Sequence, residues 1–372
     1  MARALRLAGR GLFTTQPNPH VGCVIAHGEE VVGEGWHRCA GHPHAEVFAL
    51  AAAGDRARGA TAYVTLEPCG LHGRTPPCAD VLIAAHVARI VIASEDPFQH
   101  GGGALDRLRA AGIVVETGLM RGVARDLNRG FFSRIERGRP WLRVKLATSL
   151  DGRIALANGA SKWITGEAAR ADVQKWRARS SAILTGVGTV LADDPRLTAR
   201  LQSPSAISPH AGSLETQEAA SAMGVTPLRV VLDSRLRTPR GAHVLDGSAP
   251  TLLLHAHDAL SDDGRFAQVE RVAVASGPGG LDLDAVLGLL AARGMNEVQV
   301  EAGSTLAGAL FAAGFVDELL LYIAPVLLGD SARPMFAVPA LSEMSARWKL
   351  RLFEQRQVGD DLRLSLRMKL AP

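Results

Sequence analysis

Apolar positions along the chain fall into short runs of two periods, and the two periods alternate. Residues 21–26 and 30–34, separated by a His-Gly pair, read as two paired strands. Residues 45–53 carry helical spacing, 61–66 a strand, 79–85 a helix and 89–93 a buried strand. A helix over 105–111 stops at Gly112, and 114–116 adds a short strand. The Arg-Gly-Arg-Pro stretch at 137–140 breaks the pattern, and a new strand opens over 141–146. The alternation then resumes with a helix over 168–179 and strands over 182–185, 228–232, 251–255 and 271–274. A helix over 283–293 closes at Gly294, followed by strand 297–301, helix 306–313, strand 318–323 and a last strand over 362–370. The stretch 201–227, rich in Ser, Ala, Pro and Gly, has no period and reads as a surface loop. There is no internal repeat. This pattern predicts two α/β domains, 1–140 and 141–372.

A chain of 372 residues, 47% hydrophobic and 21% charged, has the length and apolar content for two cores. Its net charge of +4 comes from arginines scattered along the sequence. Nucleic-acid binding would want them clustered in a stripe, so no nucleic-acid partner is expected. A small phosphorylated substrate needs only a few local arginines. No apolar run approaches the roughly 20 residues that cross a bilayer, so no membrane role and a cytoplasmic location are expected. The basic start over 1–11 reads as an amphipathic first helix, because the first motif begins by Pro17 and leaves little for a removable leader. Four cysteines without a secretory signal point to metal ligation or burial rather than disulfides.

The chemistry concentrates in His44, Glu46, Cys69 and Cys78. Zinc deaminases hold their metal with one His and two Cys, and use a nearby Glu that is not a ligand. Three protein ligands leave a fourth position for water, whose pKa zinc lowers from about 15.7 to about 7. Glu46 is placed to take the water's proton and pass it to the departing nitrogen. His44 and Glu46 fall at the start of the 45–53 helix, Cys69 follows a strand, and Cys78 opens a helix whose N-terminus favours a thiolate. Eight residues separate the two cysteines, where the shortest signature has two, and the longer loop can help wall a pocket. A purely structural zinc site would want a fourth protein ligand, which Cys39, His37 or His42 could supply. In the second half, Gly186 and Gly188 make a weak dinucleotide signal, with Leu191 at the third-glycine position. The small residues 302–305 between a strand and a helix suit phosphate binding at a helix N-terminus, although Ser304 could equally be only an N-cap.

The segments PNPHVGCVI (17–25), GHPHAE (41–46), TLEPC (65–69) and HGRTPPC (72–78) resemble the bifunctional deaminase/reductase family of riboflavin biosynthesis. KLATSLDG (145–152), SKWIT (161–165), GTVLADDP (188–195) and VEAGSTL (300–306) are similar to that family's reductase domain. The resemblance covers nearly the whole chain. It implies a cytidine-deaminase-like three-layer α/β domain followed by a dihydrofolate-reductase-like domain, with Zn2+ and NADPH as cofactors. It implies deamination of a phosphorylated ribosylaminopyrimidine and NADPH-dependent reduction of its ribosyl group, by a homo-oligomer. Carried over residue by residue, it implies substrate contacts from Asn18 and Arg74 in the first domain. In the second, substrate would meet Lys145, Ser161, Arg177, Leu197, Arg200 and Glu301. NADPH would meet Ala147, Trp163, Thr189, Asp193, Ser234 and the segment Gly303, Ser304, Thr305, Leu306, Ala307, Gly308 and Ala309. Two places depart from the family pattern: Gly70 and Leu71 after the first cysteine, and DPFQHGGG over 96–103. Two other readings compete. One is a deaminase of another nucleoside or base with a degenerate second domain, and the other is a zinc-stabilised binding protein.

Overall fold

The computed structural model describes residues 1–71, 76–99, 103–200, 226–260 and 263–368. The described residues divide between Gly138 and Arg139 into two compact units.

The first unit is built on five strands: β1 (Gly22–His27), β2 (Glu30–Trp36), β3 (Thr61–Val64), β4 (Arg89–Ile92) and β5 (Val114–Thr117), in the order β2-β1-β3-β4-β5. The first three pair antiparallel, and β3, β4 and β5 run parallel. Helices α2 (Ala45–Ala53), α3 (Cys78–Ala84) and α4 (Ala104–Ala110) cover one face. Their Ala49, Ala53, Ala79, Leu82 and Leu108 pack with Ile25, Ala62, Val64, Ile90 and Ile92. The other face meets α1 (Ala2–Ala8), α5 (Arg121–Leu127) and α6 (Arg129–Arg137) through Leu7 on Val24, Leu5 with Ala93 and Ala124, and Phe131 and Phe132 with Leu66. The result is three layers. Neither α5 nor α6 is visible in the hydrophobic pattern, because five arginines over 121–137 interrupt it.

Two glycines let α2 lie directly on β2. A Cβ on Gly35 would sit 2.3 Å from the Ala45 carbonyl oxygen, and one on Gly33 would sit 2.2 Å from that of Ala49. Both obstacles are backbone, so they cannot swing aside. Gly35→Ala must therefore lift the start of α2, where His44 and Glu46 are seated. Overpacking of this kind costs about 1–3 kcal/mol. The variant should melt earlier and retain less zinc through dialysis than wild type, and unchanged melting and zinc content would show that α2 tolerates the displacement.

The second unit carries nine strands in the order β11-β10-β9-β8-β14-β6-β15-β18-β17. They are β6 (Trp141–Ser149), β8 (Ala182–Gly186), β9 (Leu228–Leu232), β10 (Thr251–Ala256), β11 (Glu270–Val274), β14 (Glu297–Val300), β15 (Glu318–Ala324), β17 (Leu350–Val358) and β18 (Asp361–Met368). The short pieces β7 (Arg153–Ala155) and β16 (Arg333–Pro334) pair with each other, as do β12 (Ser276–Gly277) and β13 (Gly280–Leu281). All pairs from β11 to β15 are parallel, and the β15-β18-β17 end is antiparallel. Helices α9 (Leu283–Ala292) and α10 (Ser304–Ala312) bury Leu287, Leu290, Leu310 and Phe311 on one face against Leu142, Val144, Leu184 and Leu252. Helices α7 (Glu167–Ala178) and α8 (Val187–Asp193) cover the other through Val173 on Tyr322 and Val190 on Ile183. Strand β17 has no counterpart in the sequence reading: its sequence LRLFEQRQV shows no buried alternation because residues 351–357 are all exposed. The stretch 201–227, read as a loop, lies almost wholly outside the described residues.

Candidate functional site

In the first unit, extended backbone at His44 caps α2, so its ring stands at the helix N-terminus and Glu46 falls in the first turn. Pro77 plays the same part for α3 and seats Cys78 at its start. Cys69 comes from the connection between β3 and α3, and its Sγ accepts the Cys78 backbone N–H at 3.2 Å. His44 Nδ1 lies 3.3 Å from the Cys78 sulfur and 3.5 Å from the Cys69 sulfur. All three ligand atoms lie within 4.8 Å of one another. A tetrahedral zinc with ordinary Zn–N and Zn–S bonds sets N···S edges of roughly 3.5 Å, so the donor set fits that metal. Cys39, His37 and His42 are not in the group, so among the described residues three protein ligands leave one position open, as in catalytic sites. Hydrogen bonding with Cys78, then with His44, lowers the pKa of the Cys69 thiol, which favours the thiolate that ligates metal.

Glu46 is only 2% exposed, and its Oε2 has no hydrogen-bond partner. Burial raises its pKa and His44 only partly offsets this, so the carboxyl is suited to carrying a proton. Asn18 Nδ2 meets His37 Nε2 at 3.1 Å, while His37 Nδ1 meets the Pro43 carbonyl oxygen at 3.2 Å. Donation from His37 Nδ1 to Pro43 leaves Nε2 to accept from the Asn18 amide, which turns Asn18 Oδ1 away from His37. The His37 ring stands edge-on to His44 with centroids 5.4 Å apart. His37 is thus a supporting residue that the sequence reading considered only as a metal ligand. Its signal was the shared segment between Asn18 and His44, but the pairing itself needs the fold. Arg74 lies outside the described residues. At the two departures, the Gly70 carbonyl accepts from Arg107 at 2.8 Å and Asp96 accepts the Phe98 N–H at 2.9 Å.

In the second unit, the implied cofactor residues follow four neighbouring parallel strands at their C-terminal ends. Ala147 lies on β6, Gly303 to Thr305 follow β14, Thr189 and Asp193 lie on α8 after β8, and Ser234 follows β9. Parallel sheets bind ligands at this end. Helices α8 and α10 both start without a side-chain cap. A Cβ built on Gly188 or Gly303 meets nothing within 4 Å, so both helix starts face open space, as a pyrophosphate requires. Ser304 therefore lies in the first turn rather than acting as the cap, which is Gly303. Within the implied 303–309 segment, Ala307 is packed into the core and Gly308 against the Ala337 backbone, while Gly303, Thr305 and Ala309 are exposed. Trp163 is 70% exposed, with the Arg170 guanidinium 4.6 Å from its ring centre.

Arg177 on α7 grips Glu301 with two bonds of 2.7 Å and gives a third N–H to the Thr198 carbonyl at 3.0 Å. Gln299 also donates to Glu301, at 2.7 Å. Burial alone would raise the Glu301 pKa, but Arg177 outweighs it and holds the carboxyl at about 2. Burial lowers the Lys145 ammonium, with Glu301 opposing. Ser161 is half-buried and the Arg200 side chain is exposed. Leu197 is 1% exposed and belongs to the core on the α8 face.

Residues 1–94 match the family model described as the cytidine and deoxycytidylate deaminase zinc-binding region, and residues 140–364 match the RibD C-terminal domain. Fold and site together define a bifunctional enzyme, a zinc deaminase joined to a reductase. The chain is 48% identical over 368 residues to the riboflavin biosynthesis protein RibD of Escherichia coli K12, covering 98% of each chain. It is 44% identical to that of Haemophilus influenzae, covering 98% of this chain and 95% of the relative. Among solved structures, Acinetobacter baumannii RibD superposes with a TM-score of 0.87 at 42% identity, covering 99% of this chain and 98% of that one. The Thermotoga maritima diaminohydroxyphosphoribosylaminopyrimidine deaminase/5-amino-6-(5-phosphoribosylamino)uracil reductase does so with 0.83 at 30% identity, covering 99% and 97%. The chain belongs to the RibD family of riboflavin biosynthesis.

Proposed function

We propose that the first domain, 1–140, deaminates 2,5-diamino-6-ribosylamino-4(3H)-pyrimidinone 5′-phosphate, and that the second, 141–372, then reduces the ribosyl group to ribityl with NADPH. The observation that carries this is a three-ligand His44, Cys69 and Cys78 group beside buried Glu46, in one chain with an Arg177–Glu301 pair that has Lys145 as its neighbour. His44, Cys69 and Cys78 would hold a zinc ion, which would supply a water nucleophile at neutral pH. Glu46 accepts a proton from the attacking water on its free carboxylate oxygen and delivers it to the leaving amine. Asn18, with its amide oriented by His37, hydrogen-bonds the pyrimidine. Arg74 takes the ribose phosphate in the first site.

In the second site NADPH supplies the hydride, and the chain supplies position and charge. Gly303 to Thr305 and the start of α8 would take the pyrophosphate, and Ala147 and Trp163 would also contact the cofactor. Arg177 already spends three N–H groups on the protein, so it orients Glu301 toward the ribose and leaves Arg200 as the main cation for phosphate. Mass spectrometry of products with and without NADPH tests the whole reading. Exchange of the amine for a carbonyl without cofactor, then gain of two hydrogens with it, is the expected result. Deamination alone would reduce the second domain to a degenerate one, and no turnover by folded, zinc-loaded protein would overturn the substrate.

Self-association of the second domain is part of this proposal. Strand β17 forms one edge of the nine-stranded sheet, is nine residues long, and exposes Leu352 and Phe353 on opposite faces. Paired antiparallel with a second copy about Gln355, it would set Glu354 against Arg356 of the partner subunit. Leu352→Lys with Phe353→Lys should shift the wild-type oligomer to monomer in light scattering, and an unchanged mass would place the contact elsewhere. Among the described residues, no helix is long and apolar enough to cross a membrane.

A further inference from the structure

We propose that Gln299 is a positioning residue of the reductase site: its amide completes one oxygen of Glu301 and leaves the other, Oε2, as the acceptor for the sugar chain of the substrate. The proposal rests on the reductase reading above. Side chains alternate between the two faces of a strand. Glu297 and Gln299 therefore share one face of β14 with Glu301, which follows its end, while Val298 and Val300 fill the core on the other. Gln299 is fully buried and donates from Nε2 to Glu301 Oε1 at 2.7 Å. The same Oε1 accepts from Arg177 Nε at 2.7 Å, and Oε2 accepts from Arg177 Nη2 at 2.7 Å. An ionised carboxylate has about two acceptor positions on each oxygen. Two donors complete Oε1, and among the described residues one position stays open on Oε2.

The orientation of the amide is forced. Arg177 holds Glu301 ionised, so only the NH2 end of Gln299 can face it. That turns Gln299 Oε1 away from Glu301, and it has no hydrogen-bond partner among the described residues. A buried amide oxygen in that state lowers stability. An apolar side chain would suit the position better, since its register partner on β8 is the core residue Ile183. Packing therefore does not account for the amide, whose one bond goes to Glu301. Arg177 and Gln299 fix the carboxylate in different ways. The guanidinium fork on α7 sets its plane. The amide, two residues before Glu301 along the chain, ties that plane to the sheet. The charged groups around the pair are Arg143 and Lys145 from β6, Arg177 and Arg179 from α7 and the residue after it, and Glu297 from β14. Strand β8, with the sequence AILTG, contributes no titratable side chain, and α8 carries one, Asp193.

The test is steady-state reduction of pre-deaminated substrate with NADPH by the full chain, as wild type, Gln299→Met and Gln299→Glu, with thermal melting of each. Gln299→Met keeps the length of the side chain and removes the donor. It should lower kcat/KM for the pyrimidine roughly 10- to 100-fold, the scale of a small misplacement at a reacting centre, with KM for NADPH and melting close to wild type. Gln299→Glu gives a readout that a packing role would not move. At low pH the new carboxyl is neutral and donates to Glu301 Oε1 as the amide does. At high pH both groups are charged and repel. Burial beside Glu301 raises the pKa of the new carboxyl, so the ratio of variant to wild-type rate should stand near one at about pH 5 and fall toward about pH 8. Wild-type kinetics in Gln299→Met, or a Gln299→Glu ratio that is flat with pH, would overturn the proposal. So would a Gln299→Met loss that follows a fall in melting and raises KM for NADPH equally, which would make Gln299 a packing residue. If the wild-type chain reduces nothing with NADPH, the reductase reading itself falls, and the proposal with it.

Discussion

Glu46→Gln should cut deamination by about 10²- to 10⁴-fold, the usual contribution of a positioned acid–base group. Zinc content and NADPH-dependent reduction of pre-deaminated substrate should be unchanged. The substitution keeps the shape of a side chain that is 2% exposed, so the packing around α2 is preserved. What it removes is the ability to take and return a proton. Burial raises the pKa of this carboxyl, and its free oxygen has no partner within the protein. The three metal ligands do not involve Glu46, so elemental analysis should find the same zinc per chain. A variant that holds zinc and deaminates at the wild-type rate would remove Glu46 from the mechanism. A variant that loses both zinc and rate would make it a structural support for the ligands.

Arg143→Ala should destabilise the second domain by about 3–5 kcal/mol, the cost of removing one partner from a buried ion pair. At about 2–4 °C per kcal/mol for a domain of this size, calorimetry should show its transition falling by roughly 6–20 °C while the first domain's stays in place. Arg143 is fully buried on β6 between two acids, with Nη2 donating to Glu297 at 2.7 Å and Nε to Glu318 at 3.2 Å. Burial opposes its charge, but Glu318 and Glu297 outweigh that and raise its pKa. Arg179 donates to Glu297 at 2.9 Å, Ser365 to Glu318 at 2.9 Å and Trp141 to Glu318 at 3.2 Å, so both acids belong to a wider network. Removing the guanidinium leaves two carboxylates facing its place. Replacing Arg143, Glu297 and Glu318 together by apolar residues should restore much of the loss. Wild-type melting of Arg143→Ala would show that the network carries no net stability. Glu297 opens β14 and Glu301 follows its end, so the network lies at the other end of the strand from the Arg177–Glu301 pair. Reduction at temperatures below the transition should survive.

The elements legible in the sequence were those with one buried face. Helix α2 has the predicted bounds, and the strands of the first sheet match within one or two residues, because apolar and polar positions there alternate with the period of the element. The zinc group was legible for a different reason. His44 and Glu46 are two residues apart at a helix start, and Cys78 follows a Pro pair that fixes how the chain enters α3, so local geometry alone seats them. The illegible parts lacked such a pattern. Arginines interrupt α5 and α6, and β17 is exposed along its length, so neither presents a periodic apolar stripe.

By itself, then, the sequence determined the alternating α/β order and the local seats of His44 and Glu46 at a helix start and of Cys78 after a proline pair, all of which depend on neighbours along the chain. Only the tertiary structure decided what depends on residues far apart. It set Asn18 on His37, tied Arg177 to Glu301 across more than a hundred residues, and excluded Cys39, His37 and His42 from the metal group. It also turned Leu197 and Ala307 into core. Whether a side chain binds a ligand or fills a core depends on which strands become neighbours in the sheet, and that order is set by packing over the whole domain rather than by any local spacing.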